Sequence, residues 1–137
     1  FHLVTGATAL QNVMLPLELS SIKILQQQSN ALAQQVLEQV GLAHRMHTPV
    51  ERLSGGEQQR VAIARAYAVK PAILFADEPT GNLDSKTGEQ ISELLFDLRD
   101  KMGTSLILVT HEERLAKRAD RQIKMHQGQI VKQIDFA

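Results

Sequence analysis

Two short apolar runs separated by an amphipathic stretch limit the folds that this chain can adopt. The runs cover residues 72–76 and 106–109. The stretch between them has an apolar stripe at helical spacing, formed by Ile91, Leu94, Leu95, Leu98 and Met102. Strand, helix and strand in this order form a β-α-β unit with parallel strands, and parallel sheets are usually covered on both faces. We therefore expect an α/β fold with a buried sheet.

Each predicted strand is followed by polar residues. Asp77 and Glu78 follow the first strand, and Thr110 and His111 follow the second. Ligands of open parallel sheets bind beyond the carboxyl ends of the strands. We therefore expect these side chains to point into one crevice.

The residues before this unit predict helices. Apolar spacing indicates one helix over residues 8–19, with Pro16 near its end, and another that begins at Asn30 as N-cap and stops at Gly41. A third helix is expected over about residues 57–69, ended by Lys70-Pro71. After the β-α-β unit, the tail predicts two strands around Gln127-Gly128, although their alternation is imperfect.

Composition narrows the class of protein. A chain of 137 residues, 43% of them hydrophobic, is the size of one domain with its own core. Fifteen basic residues balance fifteen acidic ones, which gives no field that would attract nucleic acid. There is no cysteine, and no apolar run approaches the roughly 20 residues that cross a bilayer. The first residues lack an initiating Met and a signal-peptide pattern, so we expect a piece of a longer protein.

The stretch "RLSGGEQQRVAIARA" contains a capping box, Ser54 to Glu57. By themselves these four residues indicate a helix start as readily as a ligand site. Gly55 and Gly56 add a reason to consider a ligand, because they allow close approach to a helix N-terminus, which favours anions such as phosphate.

The stretch "AILFADEPTGNLD" places two adjacent carboxylates after a strand. A buried strand followed by a polar turn would explain one acidic residue there. Two suggest a division of labour, in which Asp77 holds Mg²⁺ and Glu78 deprotonates an attacking water.

Histidines are mostly interpreted as ordinary surface or core residues, and this holds for His2, His44, His47 and His126. The spacing of His44 and His47 would allow a shared metal, but no acidic or thiol neighbour joins them. His111 differs because it is expected to end a buried strand beside the one that carries Asp77 and Glu78.

His111 lies in a third stretch, "LILVTHE". Together with the two stretches quoted above, it resembles the ATP-binding-cassette (ABC) ATPases. The resemblance is strong from Leu42 onward, and the sequence is most similar to the lipoprotein-releasing (LolD), macrolide-export (MacB) and YbbA group. It implies part of a P-loop NTPase, RecA-like α/β fold. Residues 1–70 would form a partial helical subdomain, and residues 71–137 the C-terminal part of the nucleotide-binding core.

The resemblance also implies roles for residues. Asp77 would bind Mg²⁺, Glu78 would be the general base, and His111 would contact the γ-phosphate of ATP. Nucleotide contacts would come from a further set, Ser54, Gly55, Gly56, Glu57 and Asp84. The implied partners are a second ATPase subunit, arranged head to tail, and transmembrane permease subunits, at the cytoplasmic face of a bacterial inner membrane. Nucleic acid and a membrane span of the chain's own are not expected.

No Gly-Lys pair occurs in the sequence, so the phosphate-binding loop of this family is missing. We therefore expect a C-terminal fragment of a longer ATPase with negligible activity alone. In the family a strand would lie between the strand ending at His111 and the one near residues 121–125. Without it, we expect unpaired strand edges that lead to oligomers or draw the C-terminal hairpin into the gap.

Two alternatives stay open. A non-transport member acting on DNA or ribosomes is disfavoured, because no long coiled coil precedes Ser54 and no basic patch is present. A non-catalytic module that lends its "LSGGEQ" stretch to a complete partner, or only docks on a membrane protein, is the other alternative.

Overall fold

The computed structural model describes residues 2–136. Six α-helices and four β-strands lie within that part of the chain. The helices are α1 (Ala9–Glu18), α2 (Lys23–Gln27), α3 (Ser29–Gln39), α4 (Gly55–Tyr67), α5 (Ser85–Met102) and α6 (Glu113–Ala116). The strands are β1 (Ile73–Asp77), β2 (Ser105–Val109), β3 (Arg121–His126) and β4 (Gln129–Asp135).

The helices of the front half share one hydrophobic core with helix α5. Helix α1 packs on both α3 and α4, and its fully buried Val13 and Leu17 join Leu37 of α3 and Val61 of α4. Thr8 caps α1 through a complete capping box with Gln11. The predicted helices around residues 8–19 and 57–69 are therefore confirmed within two residues at each end.

The predicted start of α3 is wrong by two residues. Gln28 is the N-cap, because its carbonyl accepts the Leu32 N–H at 2.9 Å and so begins the helix before Asn30. The Asn30 side chain instead lies on the surface, where its Oδ1 accepts from Gln34. The predicted stop at Gly41 is confirmed, since Gly41 has φ of +77°, the left-handed conformation that ends helices.

The β-α-β unit is confirmed. Strands β1 and β2 are parallel, with Ile73 opposite Ser105 and Asp77 opposite Val109. Helix α5 joins them and buries the predicted stripe most fully at Ile91, Leu95 and Leu98.

The expectation of a sheet covered on both faces is wrong for residues 2–136. The face with Leu74, Ala76, Leu106 and Leu108 packs on the helical core. The other face is exposed, with Phe75 72% accessible, and it also presents Ile73, Ile107 and Val109. The helical core therefore covers one face of this two-stranded sheet and leaves the other exposed within the described residues.

The tail forms the predicted hairpin. Gln127 and Gly128 both have positive φ, as a two-residue turn of type I′ requires. A register shift between Lys124 and Met125 accounts for the imperfect alternation in the sequence.

The hairpin forms a separate sheet and is not hydrogen-bonded to β2. It has therefore not moved into the gap beside β2, and the edge of β2 is left unpaired among the described residues, as predicted. A cavity of about 470 Å³ lies at this place, between the C-terminal end of α5, β2 and the start of β3. The division into two units at residue 70 stays a prediction. Helices α4 and α5, which lie on either side of residue 70 in the sequence, pack against each other.

Within residues 2–136, no helix is both long and apolar enough to cross a bilayer.

Candidate functional site

Glu78 turns sharply out of strand β1. Its φ is +43°, which is rare for a residue with a side chain and costs on the order of 1 kcal/mol. Its N–H donates to the Val109 carbonyl at 2.9 Å, and its own carbonyl accepts the Gly81 N–H at 3.1 Å. The turn is therefore held by both the neighbouring strand and the following loop.

The Glu78 carboxylate contacts His111 beyond the end of β2. Oε1 accepts the backbone N–H of His111 at 3.1 Å and lies 2.8 Å from ring atom Nδ1. A carboxylate can only accept, so the ring proton at this contact lies on Nδ1. The structure thus brings these two predicted catalytic residues together.

The second carboxylate oxygen of Glu78, Oε2, is buried and has no hydrogen-bond partner among the described residues. Gly81 lies beside it, and a side-chain carbon at Gly81 would be 3.9 Å from Oε2. A buried acceptor without a partner is unusual and calls for a bound donor such as water.

The His111 ring is held by its hydrogen bond rather than by packing, because its side chain is 80% exposed. The expectation that it ends a buried strand is therefore wrong, since β2 is covered on one face only. The hydrogen bond from Glu78, the charge of Glu78 and the charge of Glu112 all raise the pKa of His111.

Asp77 and Glu78 point in different directions. Asp77 continues the alternation of β1 and lies on the exposed face together with Phe75. Its carboxylate makes no hydrogen bond or ion pair within residues 2–136. The structure therefore does not place Asp77 in the contact between Glu78 and His111.

The start of helix α4 carries the next group of predicted residues. The Ser54 hydroxyl accepts the Glu57 N–H at 3.3 Å and contacts the Glu57 carboxylate at 3.0 Å. Glu57 also accepts the Ser54 N–H and pairs with Arg45 at 3.3 Å. These contacts, the Ser54 N–H first, lower the pKa of Glu57. Ser54 and Glu57 are thus already engaged as a capping box.

The two glycines that follow differ in their surroundings. A side-chain carbon at Gly56 would lie 2.6 Å from Cγ2 of Thr87 in α5, so the two helices meet only because Gly56 has none. At Gly55 the corresponding carbon would lie 3.5 Å from Leu83, an ordinary contact. Packing therefore explains Gly56 and leaves Gly55 open for another role.

Asp84 caps α5. Its Oδ1 accepts the Thr87 N–H at 3.0 Å, and the Thr87 hydroxyl and N–H lower the pKa of Asp84. Thr87 contacts both Asp84 and Gly56. The structure therefore brings Asp84 close to the start of α4.

Sequence reasoning missed the residues that hold these two groups in place. Arg45 supports Glu57, Thr87 joins α4 to α5, and the Thr80 hydroxyl bonds to Glu112. Of these residues, Glu112 could have been suspected from the sequence, because it directly follows His111.

Comparison with known proteins shows what the chain is similar to. The profile described as "ABC transporter" matches residues 2–81, more than half of the chain. The lipoprotein-releasing system ATP-binding protein LolD of Xanthomonas axonopodis pv. citri (strain 306) is 49% identical over 129 residues. That match covers 94% of this chain and 52% of the relative, so the chain spans about half the length of the curated relatives it matches.

Solved structures agree as well. The dimeric structure of MJ0796, a bacterial ABC transporter cassette, is similar at a TM-score of 0.82 with 37% identity, over 99% of this chain and 60% of that one. A post-hydrolysis state of MJ0796 bound to ADP and Pi is similar at 0.81 with 36% identity, over the same shares of the two chains. The matched profile, the relative and the two folds lead to one conclusion: the chain belongs to the ABC transporter family.

Proposed function

We propose that this protein is the ATP-binding subunit of an ABC transporter, which couples ATP hydrolysis to export or extraction of a substrate through a membrane partner. Its relatives are ATP-binding proteins of a lipoprotein-releasing system, which favours a place at the cytoplasmic face of a bacterial inner membrane. The observation that carries the proposal is the contact of the Glu78 carboxylate with His111 at the carboxyl ends of two parallel strands.

Glu78 is the proposed general base. His111 occupies Oε1 with both its backbone N–H and its ring, so the carboxylate is fixed in position. Oε2 is left without a partner and can accept a proton from an attacking water. His111 is largely exposed, and when its ring is protonated the Nε2–H can donate to the γ-phosphate.

Asp77 is the proposed Mg²⁺ ligand. The residues fit such a role, because Asp77 is exposed and its carboxylate makes no hydrogen bond or ion pair within residues 2–136. No group of three possible ligands occurs in the described part of the chain, but Mg²⁺ is commonly held by one or two carboxylates, water and substrate phosphates. The ion would neutralise charge on the phosphates.

The start of α4 is the proposed contact for the ATP of a second ATPase subunit. The first amides of a helix have no acceptor within it and favour anions. Ser54, Gly55 and Gly56 lie at this end, with Glu57 holding Ser54 and with Asp84 at the neighbouring helix start. The similar structure of MJ0796 is dimeric, which supports such a pairing. Transmembrane permease subunits would be the other partners.

A chimera tests the proposal. Residues 2–136 would replace the matching segment of the Xanthomonas relative, which supplies the half that this chain does not span. We expect ATP turnover of the same order as the relative, lowered about 10²- to 10⁴-fold by Glu78→Gln. Glu93→Gln makes the same chemical change on the exposed side of α5 and should leave turnover unchanged. A folded chimera without turnover, or one insensitive to Glu78→Gln, would contradict the proposal.

We further propose that the 137-residue chain alone has negligible ATPase activity. It contains no Gly-Lys pair to hold the phosphates, and positioning together with electrostatic stabilisation supplies nearly all of phosphoryl-transfer catalysis. Steady turnover by the purified chain would contradict this.

A further inference from the structure

Thr80 and Glu112 join the two loops that carry Glu78 and His111. The Thr80 hydroxyl donates to Oε1 of the Glu112 carboxylate across 32 positions of sequence. Within residues 2–136, the other hydrogen bonds between these loops all involve Glu78: its N–H donates to Val109, and its carboxylate accepts from the N–H and the ring of His111. The bond between Thr80 and Glu112 is thus an independent connection between the loops.

One end of this connection is rigid. Thr80 is only 4% exposed. It also packs against Gly88 in the first turns of α5, where a side-chain carbon on Gly88 would lie 3.5 Å from Thr80 Cβ. Strand β1 and helix α5 therefore fix the position of the Thr80 hydroxyl.

The other end lies next to His111. Glu112 is bound through its side chain to Thr80 and through its N–H to the Thr110 hydroxyl at 3.0 Å. His111 precedes the tethered Glu112, and its own ring is too exposed to be held by packing. The position of the backbone at residues 110–112 therefore determines whether the ring can reach the Glu78 carboxylate.

We propose that Thr80 and Glu112 are a positioning pair that holds His111 on the Glu78 carboxylate. Neither residue touches the reacting atoms. Their value for ATP hydrolysis rests on the proposed function, but their effect on His111 can be measured without ATP.

The test uses the tautomer of neutral His111 in this chain, measured by imidazole ¹⁵N chemical shifts at one pH above the titration range of histidine. Contact with Glu78 places the proton on Nδ1, whereas a free imidazole favours Nε2. Thr80→Val keeps the shape of the side chain and removes the donor. We expect it to lower the ratio of Nδ1–H to Nε2–H roughly three- to tenfold, the effect of losing an ordinary hydrogen bond.

Three further variants show whether a change in the tautomer ratio comes from the lost hydrogen bond, from the lost charge of Glu112 or from misfolding. Glu112→Ala should lower the ratio as Thr80→Val does, and it decides the question if Thr80→Val fails to fold. Thr80→Ser keeps the donor and Glu112→Gln keeps an acceptor without the charge, so both should retain the original ratio. The amide spectrum of the core around Leu37 reports whether each variant is folded.

Two results would overturn the proposal. An unchanged tautomer ratio in folded Thr80→Val or Glu112→Ala would show that the pair does not position His111. A fall in Glu112→Gln as large as in Glu112→Ala would show that the charge of Glu112 acts instead. Neither result bears on ATP turnover in the chimera, so a failure of this proposal and a failure of the proposed function are distinguishable.

Discussion

Gly55 and Gly56 begin the same helix, yet they should respond in opposite ways to the same substitution. In Gly56→Ala the new methyl group would lie 2.6 Å from Thr87 Cγ2, well inside the usual contact distance between carbon atoms. In Gly55→Ala the new methyl would lie 3.5 Å from Leu83 and displace nothing. Neither glycine has the positive φ that would strain an alanine.

The size of the difference follows from two opposing effects. Relieving the contact at Gly56 requires α4 and α5 to separate or Thr87 to change rotamer, and such overpacking typically costs about 1–3 kcal/mol. Alanine is favoured over glycine in a helix by up to about 1 kcal/mol. We therefore expect Gly56→Ala to lower the free energy of unfolding by about 1–2 kcal/mol, and Gly55→Ala to leave it unchanged or raise it slightly.

Urea denaturation followed by circular dichroism measures both variants. With a slope of about 2 kcal/mol per molar, the midpoint of Gly56→Ala should fall by roughly 0.5–1 M. Thr87→Ser removes the methyl group that clashes and keeps the N–H that Asp84 accepts. The double variant of Gly56→Ala with Thr87→Ser should therefore recover most of the loss that Gly56→Ala shows against wild type.

Equal midpoints for Gly55→Ala and Gly56→Ala would refute this reasoning, as would a double variant no more stable than Gly56→Ala alone. If the prediction holds, packing accounts for Gly56 but not for Gly55. A loss of ATP turnover in the chimera with Gly55→Ala, at unchanged stability, would then indicate a ligand contact at that position.

Three further predictions concern the site, the core and the exposed sheet face. Glu78→Gln should lower the pKa of His111, which NMR titration of the imidazole measures. Glu78 raises the pKa of His111, so the ion pair stabilises the fold fully below the ordinary pKa of histidine, and this stabilisation is lost as pH rises through the raised pKa. A His111 pKa unchanged by Glu78→Gln would show that the contact is not formed. Leu37→Ala should lower the free energy of unfolding by about 2–5 kcal/mol, measured by thermal denaturation, because Leu37 is fully buried. Leu19→Ala, at a residue 77% exposed, should change it by no more than about 0.5 kcal/mol. Similar losses in the two variants would contradict the assignment of the core. The chain should self-associate with rising concentration in sedimentation velocity, and Phe75→Glu should weaken this, because Phe75 lies at the centre of an exposed apolar face; a monomer at all concentrations would oppose this expectation.

The helices and the β-α-β unit could be predicted because their signals lie within a few residues of each other. The stripe on α5 and the capping box at Ser54 both depend on spacings of three or four positions. The predicted start of α3 was wrong because residue type alone was used to choose the N-cap. Asn30 is a good capping residue by type, but the carbonyl of Gln28 was available two positions earlier.

The two apolar runs and the helical stripe between them were enough to predict that Glu78 and His111 follow neighbouring parallel strands, and so lie at the same edge of a sheet. That the two residues touch could be seen only in the folded chain, since their contact spans 33 positions and depends on strand register and on the left-handed turn at Glu78. The fold also places Asp77 on the exposed face of β1, outside this contact, and Gly56 against Thr87. Residue type and spacing act along the chain, whereas these contacts depend on how separate elements pack in space, which periodicity does not encode.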